Sequence, residues 1–382
     1  MSHATDEALR RAVRGLAGEA RTVIDLAPLA MARSRRVRQR RRLVGAVAAG
    51  MVAFGVIAAP FLWLRPGSEP QPTGPHIVAP PSDRSTRLPV SPSRPPAPEA
   101  GSAWRNRPLG LTDGWVMTGA TTTGSPRQPA YVLDRARNAY VSYSAYDELW
   151  AAPSGNLAAV YDYDRRGETG LLDVSTGTID WVRTGTHNVD PQWSPDGGKL
   201  LLTVVGEQPV GSLGAVILTA ATRQVRQFLA DETTYPCTDY CQFTWLPDGR
   251  EIALQQTDLT VERTKDARPP RRGLQLFSVD TGQPTRFLPI KGDVAGPYSW
   301  SPDGDSVVIQ EQEPLLVDAT AGTVLGKLPS ADAFWTADDR LAYVTDGGGD
   351  PIAIQIDMAG NELLHLPLPP ELAGRQLSVA PR

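Results

Sequence analysis

The phrase Trp193-Ser-Pro195-Asp196-Gly197 returns intact at Trp300-Ser-Pro302-Asp303-Gly304, and no other feature constrains the fold of this 382-residue chain as strongly. Variants stand at Trp150-Ala-Ala-Pro153-Ser-Gly155, Trp245-Leu-Pro247-Asp248-Gly249 and Trp335-Thr-Ala-Asp338-Asp339. Proline presets φ for the second position of a type I turn, aspartate bonds its own backbone, and glycine accepts positive φ at the end. In chain order the copies at Trp150, Trp193, Trp245, Trp300 and Trp335 lead into LAAVYDY, LLLTVV, EIALQQ, SVVIQ and LAYVT. Each unit therefore reads as a tight turn joining two antiparallel strands, with the tryptophan as an apolar plate packed between neighbouring sheets.

A second signal alternates with the first: an apolar strand, a polar turn and another strand. It occurs six times, as VLDRARNAYV, LLDVSTGTIDWV, VILTAATRQVRQF, LFSVDTGQPTRFL, LLVDATAGTVLGKL and IQIDMAGNELLHL. Asp134, Asp173, Asp280, Asp318 and Asp357 read as opening five of these turns, and Thr219 takes that place in the other. Gly177, Gly282, Gly322 and Gly360 supply the flexible position in four. Two hairpins per unit give four strands, which is one propeller blade. Six outer hairpins and five tryptophan turns leave one inner pair to find. Gly114–Met117 joined with Leu377–Ala380 supplies it, closes the ring and removes its sheet edges. The expected fold is all-β, a six-bladed β-propeller over residues 105–382, with seven blades as the alternative.

The Trp-Ser-Pro-Asp-Gly phrase resembles the repeats of TolB-type and WD-repeat-like bacterial propellers, over most of residues 105–382. What that resemblance implies is a rigid binding or scaffold domain, in some members joined to an enzyme.

Ahead of the propeller the composition changes. Residues 1–42 carry eleven arginines and four acidic residues, a net of +7 in a chain whose total is −4. Residues 43–64 follow, an apolar run of 22 residues without a charge. At 1.5 Å per residue a helix of that length spans roughly 33 Å, enough for a hydrocarbon core. Arg33, Arg35, Arg36, Arg38, Arg40, Arg41 and Arg42 lie directly before it, which predicts a cytoplasmic N-terminus and an extracytoplasmic C-terminal bulk. The basic lead is too long for a cleaved signal peptide. Within the arm, Thr5 reads as an N-cap, and Leu9, Val13, Leu16 and Ala20 recur at helical spacing until Pro28. The expected element is a short amphipathic helix over 6–26 that docks a cytoplasmic protein or lies on the membrane. In layout, residues 1–64 resemble membrane-bound regulators of actinobacterial sigma factors, although the arm has His3 and no cysteine and so lacks a zinc-binding signature. Residues 65–104 form a Pro-rich linker, with 11 prolines inside 65–101. It is expected to be disordered and extended, a stalk of up to about 100 Å at 3.1 Å per residue.

Candidate chemistry is sparse. Cys237 and Cys241 are the only cysteines, and outside the membrane a disulfide is expected. Free thiols and a metal are the alternatives, though two thiolates without a nearby histidine make a poor zinc site. Asp162, Asp164 and Gly167 partly echo a calcium loop, but Arg166 stands where that loop needs an oxygen ligand, and a hairpin turn is expected instead. Asp346-Gly-Gly-Gly-Asp350 reads as another turn. The charged insertion 259–273, with Arg268, Arg271 and Arg272, is expected to loop out of the fourth blade, solvated or facing a polyanion. The four histidines are His3, His76, His187 and His365, and no G-x-S-x-G, H-E-x-x-H or P-loop occurs.

The expected function is therefore a membrane-anchored, extracytoplasmic binding or sensing module whose arm relays to a cytoplasmic sigma factor or other regulator. The alternatives are an envelope scaffold without a signalling role and, less favoured, a propeller hydrolase or lyase. The sequence points to no catalytic residue, cofactor or resident metal. The partners expected are the membrane and a protein or envelope ligand, with no nucleic acid.

Overall fold

The computed structural model describes residues 103–382 except 113, 124–126, 186–187, 206–212, 240, 262–268 and 347–348, together with the backbone of Ile77–Val78. The expected arm at 1–42, the apolar span at 43–64 and most of the linker lie outside the described residues. Among the described residues no helix is long and apolar enough to cross a membrane.

The described strands form six antiparallel sheets, four-stranded blades or, in one case, a three-stranded remnant, with the short strands Gly110–Thr112 and Ile77–Val78 added to two of them. In blade 2 the strands, from the inside outward, are Glu148–Ala151, Leu157–Tyr161, Glu168–Asp173 and Ile179–Arg183. Blade 3 has Asn188–Trp193, Lys199–Val205, Leu213–Thr219 and Val225–Ala230. Blade 4 has Phe243–Trp245, Glu251–Thr257, Arg271–Ser278 and Pro284–Leu288. Blade 6 has Phe334–Ala337, Arg340–Thr345, Ile352–Asp357 and Glu362–Pro367. Blade 5 keeps Ser306–Gln310, Pro314–Asp318 and Val324–Lys327, while its innermost strand shrinks to the single bridge Trp300↔Val307.

Blade 1 closes the ring. Its innermost strand is the C-terminal Gln376–Pro381, paired antiparallel to Trp115–Thr121 with Leu377 opposite Ala120 and Ala380 opposite Val116. Ala130–Asp134 and Ala139–Tyr143 complete it. The described blades number six, the count the sequence favoured over seven, with the expected pairing of Gln376–Pro381 against Trp115–Thr121.

Period-two alternation of apolar residues builds the core between the blades. Leu200 and Leu202 face blade 2, whereas Leu201 faces blade 4. Six buried clusters result among the described residues, one at each blade–blade interface. Full burial of one such leucine contributes about 1.5–3 kcal/mol relative to exposure, so the ring is held mainly by these interfaces. The outer strands of blades 4 and 5, Pro284–Leu288 and Val324–Lys327, have no fully buried residue, whereas that of blade 1, Ala139–Tyr143, is mostly buried.

The tight turns gather on one face, here the turn face. In the first type of turn Ser194 Oγ donates to Asp196 Oδ1 (2.5 Å) and accepts from the Lys199 amide (2.9 Å), while Asp196 Oδ1 also accepts from the Gly198 amide (2.9 Å). Ser301, Asp303 and Asp305 repeat the arrangement in blade 5. In the second type, a left-handed residue closes the turn. Gly177, Gly282, Gly322 and Gly360 supply it in four blades, as expected, and Asn138 (φ 51°) and Arg223 (φ 62°) supply it in blades 1 and 3. Arg223 is fixed there by two bonds to Asp180 of blade 2.

Two readings of these turns require correction. In blade 4 the turn opens at Ser278, whose carbonyl accepts from Gly282 and whose hydroxyl accepts from Thr281; Asp280 lies two residues inside it. In blade 2 the register pairs Ala151 with Ala158, and the corresponding pairs elsewhere are Trp193 with Leu200 and Trp245 with Ile252. Ala151 thus occupies the motif position, and Trp150 precedes it and packs on the opposite side. The small side chain has a reason: a Cβ on Gly119 of blade 1 would stand 2.7 Å from that of Ala151, so the two blades meet closely here.

The Pro-rich stretch contributes one described strand. Ile77–Val78 pairs antiparallel with the outer strand of blade 3, with Ile77 opposite Phe228 and Val78 opposite Gln227. The 3-10 turn Ala103–Asn106 follows.

Candidate functional site

The connections from second to third strand, and from each outer strand to the next blade, all emerge opposite the turn face. They differ in length and sequence, and three of them surround the inner ends of blades 2 to 5 on this loop face.

Asp147 and Glu148 start the inner strand of blade 2, and both are buried. Tyr163, on the connection Asp162–Gly167, grips both: its amide donates to Asp147 Oδ2 (2.6 Å) and its hydroxyl to Glu148 Oε1 (2.7 Å). The displaced Trp150 donates its indole N–H to Glu148 Oε2 at 3.3 Å. Burial pushes the Tyr161 phenol far up, and the carboxylates of Glu148 and Asp190 add to it. The segment that echoed a calcium loop is a hairpin turn: Asp162 Oδ1 accepts from the Asp164 amide, and the Arg165 amide donates to the Asp162 carbonyl.

The densest polar group lies at blades 4 and 5. Arg271 opens the third strand of blade 4 with its side chain only 5% exposed. Its guanidinium takes both oxygens of Asp239, at 2.7 and 3.1 Å, and both of Asp293, at 2.7 and 3.3 Å. Burial works against the charge, and the Asp293 and Asp239 carboxylates more than offset it, so the guanidinium is held more firmly protonated than usual. Paired, planar, double hydrogen bonding of this kind suits arginine and not lysine. This corrects the expected extent of the charged insertion. Arg271 is core and Arg272 is strand, lying over the Phe287 ring, so the loop ends before them. Arg268 and its neighbours lie outside the described residues.

Asp239 is placed by the connection from blade 3 to blade 4. Cys237 and Cys241 flank it and are joined at disulfide distance, 2.12 Å. The Thr238 amide donates to Thr257 Oγ1 (3.1 Å), and the Thr257 amide donates to the Pro236 carbonyl (2.8 Å). Asp293 is placed by the segment that replaces the inner strand of blade 5, through a mutual pair of backbone bonds with Gln310. The same segment offers the Val294 carbonyl to Gln242 (3.5 Å) and the Ala295 carbonyl to Gln192 of blade 3 (3.2 Å). It ends in the 3-10 turn Pro297–Ser299, whose Tyr298 stacks edge-on against Trp115 of blade 1, with ring centroids 5.0 Å apart. Burial pushes the Tyr298 phenol up to about 12.

Among the described residues, Cys237, Asp239 and Cys241 are the one group of side chains close enough to hold a metal ion. Their donor set does not fit one: the sulfurs are bonded to each other and the carboxylate is engaged by Arg271. His365, the one histidine described, sits on the rim, on the outer strand of blade 6, 3.1 Å from Glu362.

The large apolar side chains left exposed on this face, Tyr163, Val205, Leu259 and Val261, belong to consecutive blades 2, 3 and 4. The motif tryptophans are elsewhere: Trp193, Trp245, Trp300 and Trp335 are buried between blades. Sequence reasoning singled out Cys237 and Cys241 as a disulfide pair, and the structure has them at that distance. That reasoning missed Asp239, Arg271, Asp293 and Tyr298, whose one legible trace was an acidic residue enclosed by the two cysteines.

No protein-family model matches the chain, and no curated protein matches it in sequence. Solved structures similar to it include TolB from Acinetobacter baumannii, at 17% identity over 72% of this chain and 67% of that one, with a TM-score of 0.44. A putative TolB from Agrobacterium tumefaciens is 16% identical over 70% of this chain and 99% of that one, with a TM-score of 0.41. The β-propeller domain of the Trilobed protease from Pyrococcus furiosus is 13% identical over 66% and 81%, with a TM-score of 0.43. The propeller architecture and blade count rest on the strand pairing described above.

Proposed function

We propose that this protein is a binding module whose loop face recognises a protein or envelope ligand. The observation that carries the reading is the contrast between the two faces. One is spent on its own repeat, with turn side chains bonding turn backbone. The other sets irregular connections and exposed apolar side chains around buried charge. Interfaces of this make-up, apolar anchors beside fixed polar groups, suit protein-sized ligands.

The module is carried, in this reading, on a single-pass membrane anchor at residues 43–64, with Arg33 to Arg42 holding the N-terminus in the cytoplasm. The arm then relays occupancy to a cytoplasmic regulator of the sigma-factor type. A photo-crosslinking residue at Tyr163 or Leu259 of the full chain in intact cells tests the binding face. Defined products are expected from both sites and not from Val324 or Met358, which are exposed on the rim and the turn face. Products from the control sites alone refute the assignment. Protease added to intact cells is expected to remove the propeller. Affinity purification of the full chain, with and without residues 1–42, is expected to recover the regulator only when the arm is present.

A further inference from the structure

The disulfide does more than close a short loop. Cys237 and Cys241 enclose Asp239, so the bond fixes the carboxylate that meets Arg271. Arg271 in turn meets Asp293, at the start of the segment that stands in for the inner strand of blade 5. That segment is also held by the Gln310 bridge, by the side-chain amides of Gln242 and Gln192 on its carbonyls, and by Ile290 and Val294, which are buried between blades 4 and 5, so the Asp293 contact is its polar tie to Arg271 beside an apolar anchor. A continuous run of contacts therefore leads from the sulfur–sulfur bond to the centre of the loop face. Removing one carboxylate from a buried ion group leaves the others badly matched, which costs far more than an exposed pair would.

The two sulfurs are unlike. Cys241 is buried and lies 3.7 Å from an Arg271 nitrogen, whereas Cys237 is partly exposed. A reductant therefore reaches Cys237 first.

We propose that the Cys237–Cys241 bond is a redox latch on the loop face: its reduction releases Asp239 from Arg271 and loosens residues 289–296. The chemistry is thiol–disulfide exchange with a dithiol reductant. A reductant thiolate attacks Cys237 Sγ, forming a mixed disulfide and breaking the Cys237–Cys241 bond. Cys241 leaves as the thiolate and takes a proton from water. The second reductant thiolate then displaces Cys237, which is protonated in turn, and the reductant departs as a cyclic disulfide. Two electrons pass to the protein. Asp239 then sits on an open loop instead of a closed five-residue one.

Hydrogen exchange on the full chain, oxidised and then treated with dithiothreitol, tests this. Reduction is expected to speed amide exchange at least tenfold in peptides covering 231–242 and also 289–296. Turn-face peptides covering 194–199 and 301–306 should be unchanged. Asp239→Asn in the oxidised chain should reproduce the effect at 289–296 with the sulfur–sulfur bond intact. Two results overturn the proposal. Faster exchange confined to 231–242 makes the bond a local staple, and faster exchange throughout makes it a support for the whole fold. Exchange reads the chain alone, so this outcome is independent of whether the loop face binds a partner.

Discussion

The indole N–H of Trp245 donates to the backbone carbonyl of Gln192, 3.0 Å away on the inner strand of the preceding blade. Trp193 makes the same bond to Trp150 (2.9 Å) and Trp335 to Ser299 (3.1 Å). In each case the acceptor lies one residue before the motif position of the blade behind. The repeated tryptophan is thus a hydrogen-bonded tie between blades as well as a packing plate. Trp300 departs from the pattern: its indole nitrogen is buried without an acceptor among the described residues.

Trp245→Phe should therefore cost more than Trp300→Phe. Both lose similar volume, but only the first leaves a buried carbonyl without its donor, a difference of about 1–3 kcal/mol. Urea denaturation of the two variants measures it, and equal losses would show that the indole bond contributes nothing beyond packing.

Gly282 and Gly304 both have left-handed backbone, at φ 68° and 80°. A Cβ on Gly282 would stand 2.1 Å from the Phe228 ring of blade 3, whereas one on Gly304 meets nothing within 4 Å. Gly304→Ala should cost about 1–2 kcal/mol, the conformational penalty alone. Gly282→Ala should cost clearly more, because blades 3 and 4 must also move apart. Thermal denaturation ranks them.

Acid should weaken the turn face. Hydrogen bonds from Ser194 and from the Gly198 amide hold the Asp196 carboxyl below the usual carboxylate range, and Ser301 and the Asp305 amide do the same for Asp303. A carboxylate depressed in the folded state adds stability that is complete above its unfolded value of about 4 and is lost as pH falls through the lower folded value. Denaturant stability of the native chain should therefore drop between pH 5 and pH 2. Asp196→Asn and Asp303→Asn should be less stable at pH 7 and drop less on acidification, which denaturation at the two pH values will show.

Arg271→Met should destabilise the protein by about 3–5 kcal/mol, since it strands two carboxylates at a mostly buried site. Adding Asp239→Asn and Asp293→Asn to it should recover part of that loss. Denaturation of the single and triple variants measures the difference, and a further loss in the triple would contradict the ion-pair account.

The turns were legible because their chemistry is local: Pro, Asp and Gly act on their own backbone. Ring closure was legible because an unmatched half-blade at each end leaves one arrangement. The misreadings share another cause. Choosing Ala151 over Trp150, or Ser278 over Asp280, needs the register of a neighbouring strand. Arg271 was hidden in a charged run, where only the fold distinguishes its inward side chain from that of Arg272 beside it. Tyr298 follows a lost inner strand, and no local periodicity marks a strand that is missing.

Because Gln376–Pro381 is the innermost strand of a blade whose second strand is Trp115–Thr121, that blade stays unfinished until residues 376–381 have been made. During synthesis, Trp115–Thr121 waits with an open edge while some 250 residues are added. Blades 2 to 6 can stack in order as they emerge, but the circle is sealed only once Gln376–Pro381 has emerged. A stop codon ahead of residue 376 would leave the ring unsealed with most of its core already made.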